Sequence, residues 1–370
     1  MSPTRVLRVP EGEFPSAAVL SEAVEALSAG EVVGVPSETV YGLAANALEA
    51  DAVGRIYGIK GRPADNPLIV HVSSLEMLND VIGDIPPQYS GLINNFWPGP
   101  LTLLFNRPIK IPMATTANRD TVAVRLPSHP VFRSLIAECG FPLAAPSANR
   151  STRPSPTSAN HVIDDLGSTL RLLIDGGPCS NGLESTVVDG ISPAAPVILR
   201  PGGITVEQIA SIPGWENVRV FRASNDNSPS LPRSLSLPAL EQVPTTPGMK
   251  YRHYAPTAPV ILLYPCPYPS TPDTASDPPI QSLTSLLSPY NSPGLLYHTL
   301  TPPPNLPHLH AVHLGSSPTE IARFLFENIR TLDKLCDVIF VQVVDETHHG
   351  LAVMNRLKKA ASGSVNVTDE

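Results

Sequence analysis

The side chains best suited to chemistry sit in two short stretches and at two strand ends. Lys60 and Arg62 flank Gly61 and precede Pro63, so two cations stand where the helical pattern of Ala52, Val53, Ile56 and Tyr57 stops. Such a pair suits a polyanion. Upstream, Ser37, Thr39 and Tyr41 alternate after the apolar run Val32 to Val35, which predicts three hydroxyls on one side of an extended segment. Asn66 and Pro67 lead into a second apolar strand, Leu68 to Val72, interrupted by His71. Ser147 and Asn149 leave the short strand Pro142 to Ala145, at the kind of strand end where open α/β sheets place ligands. Arg125 lies at the far end of the apolar strand Thr121 to Leu126, and Arg200 ends Val197 to Leu199. A charge in such a place must face a cleft or a partner. The same residues also fit plainer roles: cations matched to a helix dipole, an edge strand with exposed hydroxyls, and an Asx or Ser turn.

The inventory narrows the chemistry. No G-x-x-x-x-G-K-[ST] occurs, so ATP would not be held by a Walker loop. Lys60, Arg62 and Arg200 are the available phosphate binders, and the planar fork of Arg125 suits a carboxylate. Thr39, Asn66, Thr121, Ser147, Asn149, Ser155 and Ser185 supply hydroxyls and amides that could read an amino acid and a nucleotide. The set fits adenylation of a small anion. A hydrolase triad is not evident, since neither Ser37 nor Ser185 has a His–Asp pairing visible in the sequence. His348 and His349 have no third ligand nearby and read as a surface turn, so no resident metal site is expected.

The elements that must position these groups are legible in outline. Helices are expected at Ala17 to Ala29, up to Trp97 before Pro98-Gly99-Pro100, at Val131 to Cys139 and at Thr205 to Ile212 with Thr205 as its cap. Strands are expected at Leu101 to Phe105, Leu170 to Ile174 and Leu183 to Asp189. Residues 222–247 are rich in Ser and Pro without a period and read as linker. Beyond it, strands at Val260 to Tyr264, Gly294 to Tyr297 and Val338 to Val344, with helices at Thr319 to Leu332 and Leu351 to Ala361, suggest a small Rossmann-like α/β domain. No G-x-G-x-x-G follows its first strand, so it is not read as a dinucleotide site.

Composition sets the outer bounds. A chain of 370 residues with 42% apolar content can build two domain cores. Its formal charge of −8 argues against an overall nucleic-acid footprint, while leaving room for a local basic cleft. The cysteines, 4 in number and widely spaced, suit a reducing compartment. With no apolar leader and no run of about 18 apolar residues, a cytoplasmic protein without a membrane span is expected.

The strings SETVYGL, KGRP, N-P-L and His71, in this order and spacing, resemble the YrdC-type domain of the threonylcarbamoyl-AMP synthases, and SAN (Ser147 to Asn149) resembles that family's nucleotide-contacting SxN motif. The likeness covers residues 15–215. PGMKYRHYAP (Pro247 to Pro256) is similar to the active-site-covering motif of the long, two-domain members, and GLAVMNRLKKAAS to their C-terminal helix. The resemblance implies an open, twisted mixed sheet over residues 1–221, a linker over 222–258 and a small Rossmann-like domain over 259–370. It also implies a nucleotidyltransferase that makes L-threonylcarbamoyladenylate and pyrophosphate from L-threonine, bicarbonate or CO2, and ATP. Thr39, His71, Arg125, Ala145 and Ser185 would then hold threonine. Lys60, Arg62, Asn66, Thr121, Ser147, Asn149, Ser155 and Arg200 would hold ATP, with Tyr251 or Tyr254 reaching over from the linker and Lys60 and Arg62 as the catalytic cations. Magnesium would arrive with ATP. The product would pass to a threonylcarbamoyl transferase complex acting on position 37 of ANN-decoding tRNAs, with no stable nucleic-acid binding by this chain itself. A non-catalytic RNA-binding module is the alternative. The hydrogenase-maturation carbamoyltransferases share the domain, but their acylphosphatase-like and C-x-x-C regions are missing here.

Overall fold

The computed structural model describes residues 3–63, 65–192, 196–221, 253–266 and 280–368. These form two units, one from 3–151 with 155–221 and one from 152–154, 253–266 and 280–368. Residues 253–258, read as the linker's end, fold with the second unit, where the Ala258 N–H donates to Asp333 Oδ1 at 2.9 Å. The rest of the linker lies outside the described residues.

The first unit is built on an 11-stranded sheet. Its strands are β1 (Arg5–Arg8), β2 (Val33–Val35), β3 (Gly42–Asn46), β4 (Ile69–His71), β5 (Leu101–Asn106), β6 (Thr121–Arg125), β7 (Leu143–Ala144), β8 (Leu172–Asp175), β9 (Thr186–Asp189), β10 (Val197–Arg200) and β11 (Arg219–Val220). They lie in the order β1-β8-β2-β3-β7-β4-β6-β5-β9-β10-β11. Parallel pairs such as β4 with β6 occur alongside antiparallel pairs such as β3 with β7, so the sheet has the mixed direction expected. Both faces are covered. Leu43 and Ala45 of β3 join one core with Val70, Leu103 and Val124, while Ala44 joins the opposite core with Val33, Val35 and Leu143. The sequence reading missed β3, because GLAAN has weak β propensity. It forms because β2 and β7 pair with it on both sides.

Two local features set the site, and one corrects an expectation. Ser37, Thr39 and Tyr41 do not share one side of an extended segment. Residues 38–40 bend, and Ser37 Oγ accepts the N–H groups of Thr39 and Val40, each at 3.2 Å. A hydroxyl that captures the backbone two and three residues on makes a turn, and a turn breaks alternation. Tyr41 instead is core, its hydroxyl donating to Gly177 O at 2.7 Å. The other feature is helix Ala50–Lys60, closed by Gly61 at φ 58°, where the Arg62 N–H returns to Tyr57 O at 3.0 Å. Glycine takes that left-handed conformation without a Cβ penalty, which fixes where Lys60 and Arg62 diverge.

The second unit has a parallel six-stranded sheet: β12 (Val260–Pro265), β13 (Gln281–Ser282), β14 (Pro293–Tyr297), β15 (His310–His313), β16 (Val338–Gln342) and β17 (Gly363–Thr368), in the order β13-β17-β12-β16-β14-β15. Helices Pro318–Asp333 and His349–Ala360 accompany it, as a Rossmann-like domain requires. The sequence reading passed over β13, β15 and β17. The first has two residues, the second is a polar edge strand, and the third hides its alternation, Val365 and Val367, among Ser, Asn and Thr. No described helix is long and apolar enough to cross a membrane.

Candidate active site

Polar side chains stand in register across neighbouring strands of the first sheet, with Val187 as the one apolar member of the row. His71 of β4 stands opposite Arg125 of β6, Arg125 opposite Thr102 of β5, Thr102 opposite Val187 of β9, and Val187 opposite Arg200 of β10. Apolar neighbours along each strand fill the cores, so these positions carry polarity into the middle of the sheet.

Arg125 is held on three sides. Its Nε donates to Gly99 O at 3.1 Å, Nη1 to Thr39 Oγ1 at 2.9 Å and Nη2 to Glu38 Oε1 at 2.5 Å. Arg125 and Glu38 are 4% and 8% exposed, so the pair is nearly withdrawn from water. The Ser128 N–H also donates to Glu38 Oε1, at 3.2 Å. Burial pushes the Glu38 carboxyl up, but Arg125 and Ser128 outweigh it and hold the carboxyl below its usual range. Burial first, and the Arg125 charge second, push the His71 imidazole down to about 3, so it is neutral at physiological pH. Its ring lies 5.0 Å from that of Phe132.

A second cluster surrounds Ser185. Its hydroxyl pairs with Thr102 Oγ1 at 2.8 Å, and Arg200 Nη2 donates to its hydroxyl at 3.1 Å and to its carbonyl at 2.9 Å. One residue upstream, the buried Glu184 accepts from Ser155 Oγ at 2.5 Å. The loop after Arg200 makes this possible. A Cβ on Gly202 would collide with the Glu184 carbonyl and the Ser185 backbone, so only glycine lets the two segments approach. Among the described residues Ser185 bonds Thr102 and Arg200, and Ser37 bonds Thr39 and Val40; neither touches a histidine, as a hydrolase nucleophile would.

The third cluster joins two motifs distant in sequence. Lys60, 4% exposed, donates from Nζ to the Ser147 carbonyl and to Asn149 O at 2.7 Å. Arg62 Nη2 donates to Pro67 O at 3.3 Å, across the turn that contains the buried Asn66.

The structure therefore brings Thr39 to Arg125, Ser185 to Arg200, and Ser147 and Asn149 to Lys60, with His71 in register beside Arg125. Ser155 joins the Ser185 cluster through Glu184. Ala145 donates its N–H to Ile69 O at 3.0 Å, on the rim of β7. Thr121 begins the strand that Arg125 ends, so it stands apart from the Arg125 cluster. Tyr251 lies outside the described residues. Tyr254 is buried within the second unit, its ring 5.4 Å from Phe326 and 5.8 Å from the Arg356 guanidinium.

Three residues of the site escaped the sequence reading: Glu38, Thr102 and Glu184. The signal for Glu38 was present, because a buried strand-end arginine demands an anion and Glu38 lies between the two singled-out hydroxyls. Glu184 precedes Ser185 in the same way. Among the described residues no three His, Cys, Asp or Glu side chains gather as metal ligands would.

The first unit is thus a mixed α/β domain that buries arginine and lysine side chains, followed along the chain by a Rossmann-like domain. The Sua5–YciO–YrdC family model, described as "Telomere recombination", matches residues 25–202, and the model described as "Threonylcarbamoyl-AMP synthase, C-terminal domain" matches 204–362. A threonylcarbamoyl-AMP synthase of Pyrococcus abyssi is 40% identical over 333 residues, covering 90% of this chain and 91% of the relative. One from Bacillus subtilis is 39% identical over 353 residues, covering 94% of each. The crystal structure of P. abyssi Sua5 complexed with L-threonine superposes with a TM-score of 0.82 at 37% identity, covering 98% of this chain and 100% of that one. The chain belongs to the threonylcarbamoyl-AMP synthase family.

Proposed function

We propose that this chain is an L-threonylcarbamoyladenylate synthase, converting L-threonine, ATP and either bicarbonate or CO2 into L-threonylcarbamoyl-AMP and pyrophosphate, with one water released when the carbon comes from bicarbonate and none when it comes from CO2. The observation that carries the reading is the site's division of labour. One buried arginine, Arg125, donates to the Thr39 hydroxyl and the Glu38 carboxylate, and a separate lysine, Lys60, is tied to the SAN loop, in a chain that aligns with named synthases over nine-tenths of its length.

The chemistry needs little covalent help from the protein. Threonine's amine, once it has lost a proton, adds to CO2 and gives up a second proton to solvent, becoming an N-carboxylate. A carboxylate oxygen then attacks the α-phosphorus of ATP, and pyrophosphate leaves. The protein positions both anions and stabilises the charge that develops on phosphate. Arg125 takes the threonine carboxylate, with Thr39, His71, Ala145 and Ser185 around it. Lys60, Arg62 and Arg200 face the phosphates, and Asn66, Thr121, Ser147, Asn149 and Ser155 hold the rest of the nucleotide. Magnesium carried with the triphosphate would offset part of its charge, while the chain's own contribution there is cationic side chains and amides rather than an acidic cage.

The mixed carbamic–phosphoric anhydride is labile in water. It has to be kept from water until a transferase that modifies tRNA consumes it. Pyrophosphate release from ATP with bicarbonate, measured with L-threonine, with L-serine and with no amino acid, tests the reading. Release that depends on threonine and yields a nucleotide decaying to AMP is the expected result. Release indifferent to threonine would overturn it.

A further inference from the structure

Glu38 is a part of the site to which the reaction just described gives no role. It is not an incidental neighbour of Arg125. Its Oε1 takes both Arg125 Nη2 at 2.5 Å and the Ser128 N–H at 3.2 Å, and its own carbonyl accepts the Asn181 N–H at 2.8 Å. The residue is anchored at side chain and backbone, and it cannot swing away cheaply when a ligand arrives. The partners of Arg125 among the described residues are Glu38, Thr39 and the Gly99 carbonyl, so Glu38 is the one charge it contacts.

Counting charge gives the consequence. By itself the buried pair holds one carboxylate and one guanidinium and is neutral. His71 beside it is neutral, burial and Glu38 pull the nearby His129 in opposite directions with burial prevailing, and the Cys179 thiol is pushed up by burial. A ligand that brought only a carboxylate would leave a net negative charge in a site shielded from water, which is costly. A ligand that brings its own ammonium with the carboxylate leaves the count at zero.

We infer that Glu38, by neutralising Arg125 in advance, makes the amino-acid subsite selective for zwitterions and so excludes simple hydroxy acids from it. The inference rests on the reading of Arg125 as the carboxylate binder. Glu38 acts through Arg125 and is a specificity-determining positioning residue, not a catalytic one. Selectivity matters here because a hydroxy acid seated on Arg125 would occupy the site without an amine to capture CO2.

The test compares L-threonine with (R)-3-hydroxybutyrate, which keeps the carboxylate and hydroxyl and lacks the amine. Titration calorimetry on the full-length protein gives both affinities for the wild type, Glu38→Gln and Glu38→Asp. The wild type should favour threonine, and Glu38→Gln, which retains an acceptor for Arg125 and Ser128, should shrink that preference by roughly tenfold or more. Glu38→Asp should keep it. An equal loss for both ligands in Glu38→Gln would mean a structural role alone and would overturn the inference. A second readout needs no variant: in buffers of different ionisation heat, (R)-3-hydroxybutyrate should bind the wild type with proton uptake and threonine without. Equal affinity for the two ligands with no proton uptake would also overturn it. A wild type that binds neither ligand strikes the functional reading itself, which separates that failure from this one.

Discussion

Lys60 and Asn149 lie 89 residues apart in sequence, and the lysine ammonium donates to the asparagine main-chain carbonyl at 2.7 Å. With the Ser147 carbonyl as its other main-chain partner, Lys60 ties the end of helix Ala50–Lys60 to the SAN loop. The two motifs form one unit.

That tie gives Lys60→Ala two separable effects. Pyrophosphate release should fall by about a hundredfold or more if Lys60 carries the role proposed for it, facing developing phosphate charge. Stability should fall by about 1.5–3 kcal/mol, the range for hydrogen bonds made by a charged group. Release assays and urea unfolding of the same preparation measure both. A folded Lys60→Ala protein with normal release would remove Lys60 from the catalytic set.

Gly202→Ala tests the close approach of the Arg200 loop to Glu184 and Ser185. The added methyl meets backbone on both sides and cannot be relieved by a side-chain rotation. A loss of about 1–3 kcal/mol is expected from overpacking, with weaker ATP binding as Arg200 is displaced. An unchanged melting temperature would show that the loop tolerates movement.

Stability should fall as pH drops from about 6.5. His71 is pushed down to about 3 and His129 is also depressed, so the unfolded state, whose imidazoles take protons near 6.5, binds more protons than the folded state in this window. Each such group costs up to about 1.4 kcal/mol per pH unit. Glu38 is held below its reference of 4.5, so its contribution is complete above that value and is lost only as pH falls further, through its folded pKa. Urea titrations at pH 7.5, 6 and 5 should therefore report the imidazoles, and His71→Gln should flatten the series. The same slope in that variant would assign the effect elsewhere.

In the second unit, Tyr254→Ala should cost about 3–5 kcal/mol, since it removes a buried ring stacked on Phe326 and faced by Arg356. Tyr254→Phe keeps the stack and should cost far less. Thermal melts of both variants measure the difference; equal losses would place the weight on the hydroxyl.

The sequence was most informative where one residue carries a local rule. Gly61 ended its helix as expected, and Thr205 caps helix Val206–Ala210 in a capping box closed by Gln208. The cations and the SAN loop were legible as groups. Their partners were not, because Glu38, Thr102 and Glu184 become meaningful only when turns and strand register set them against an arginine or a hydroxyl. The turn at Ser37 shows the limit of periodicity: one side-chain oxygen accepting two backbone N–H groups overrides alternation, and residue spacing does not reveal it.

The position of β8 also bears on how the chain is made. It lies between β1 and β2, pairing Leu172 with both Arg5 and Val33, so the sheet's first two strands gain that neighbour only after residue 172 has been synthesised. At ribosomal rates of about 5–20 residues per second, β2 waits on the order of ten seconds with an apolar edge uncovered. Nascent chains stalled before β8 should engage chaperones and be cut readily by protease, and chains stalled beyond β11 should resist. For this fold, the interval before β8 emerges is the period of greatest exposure to misassembly during translation.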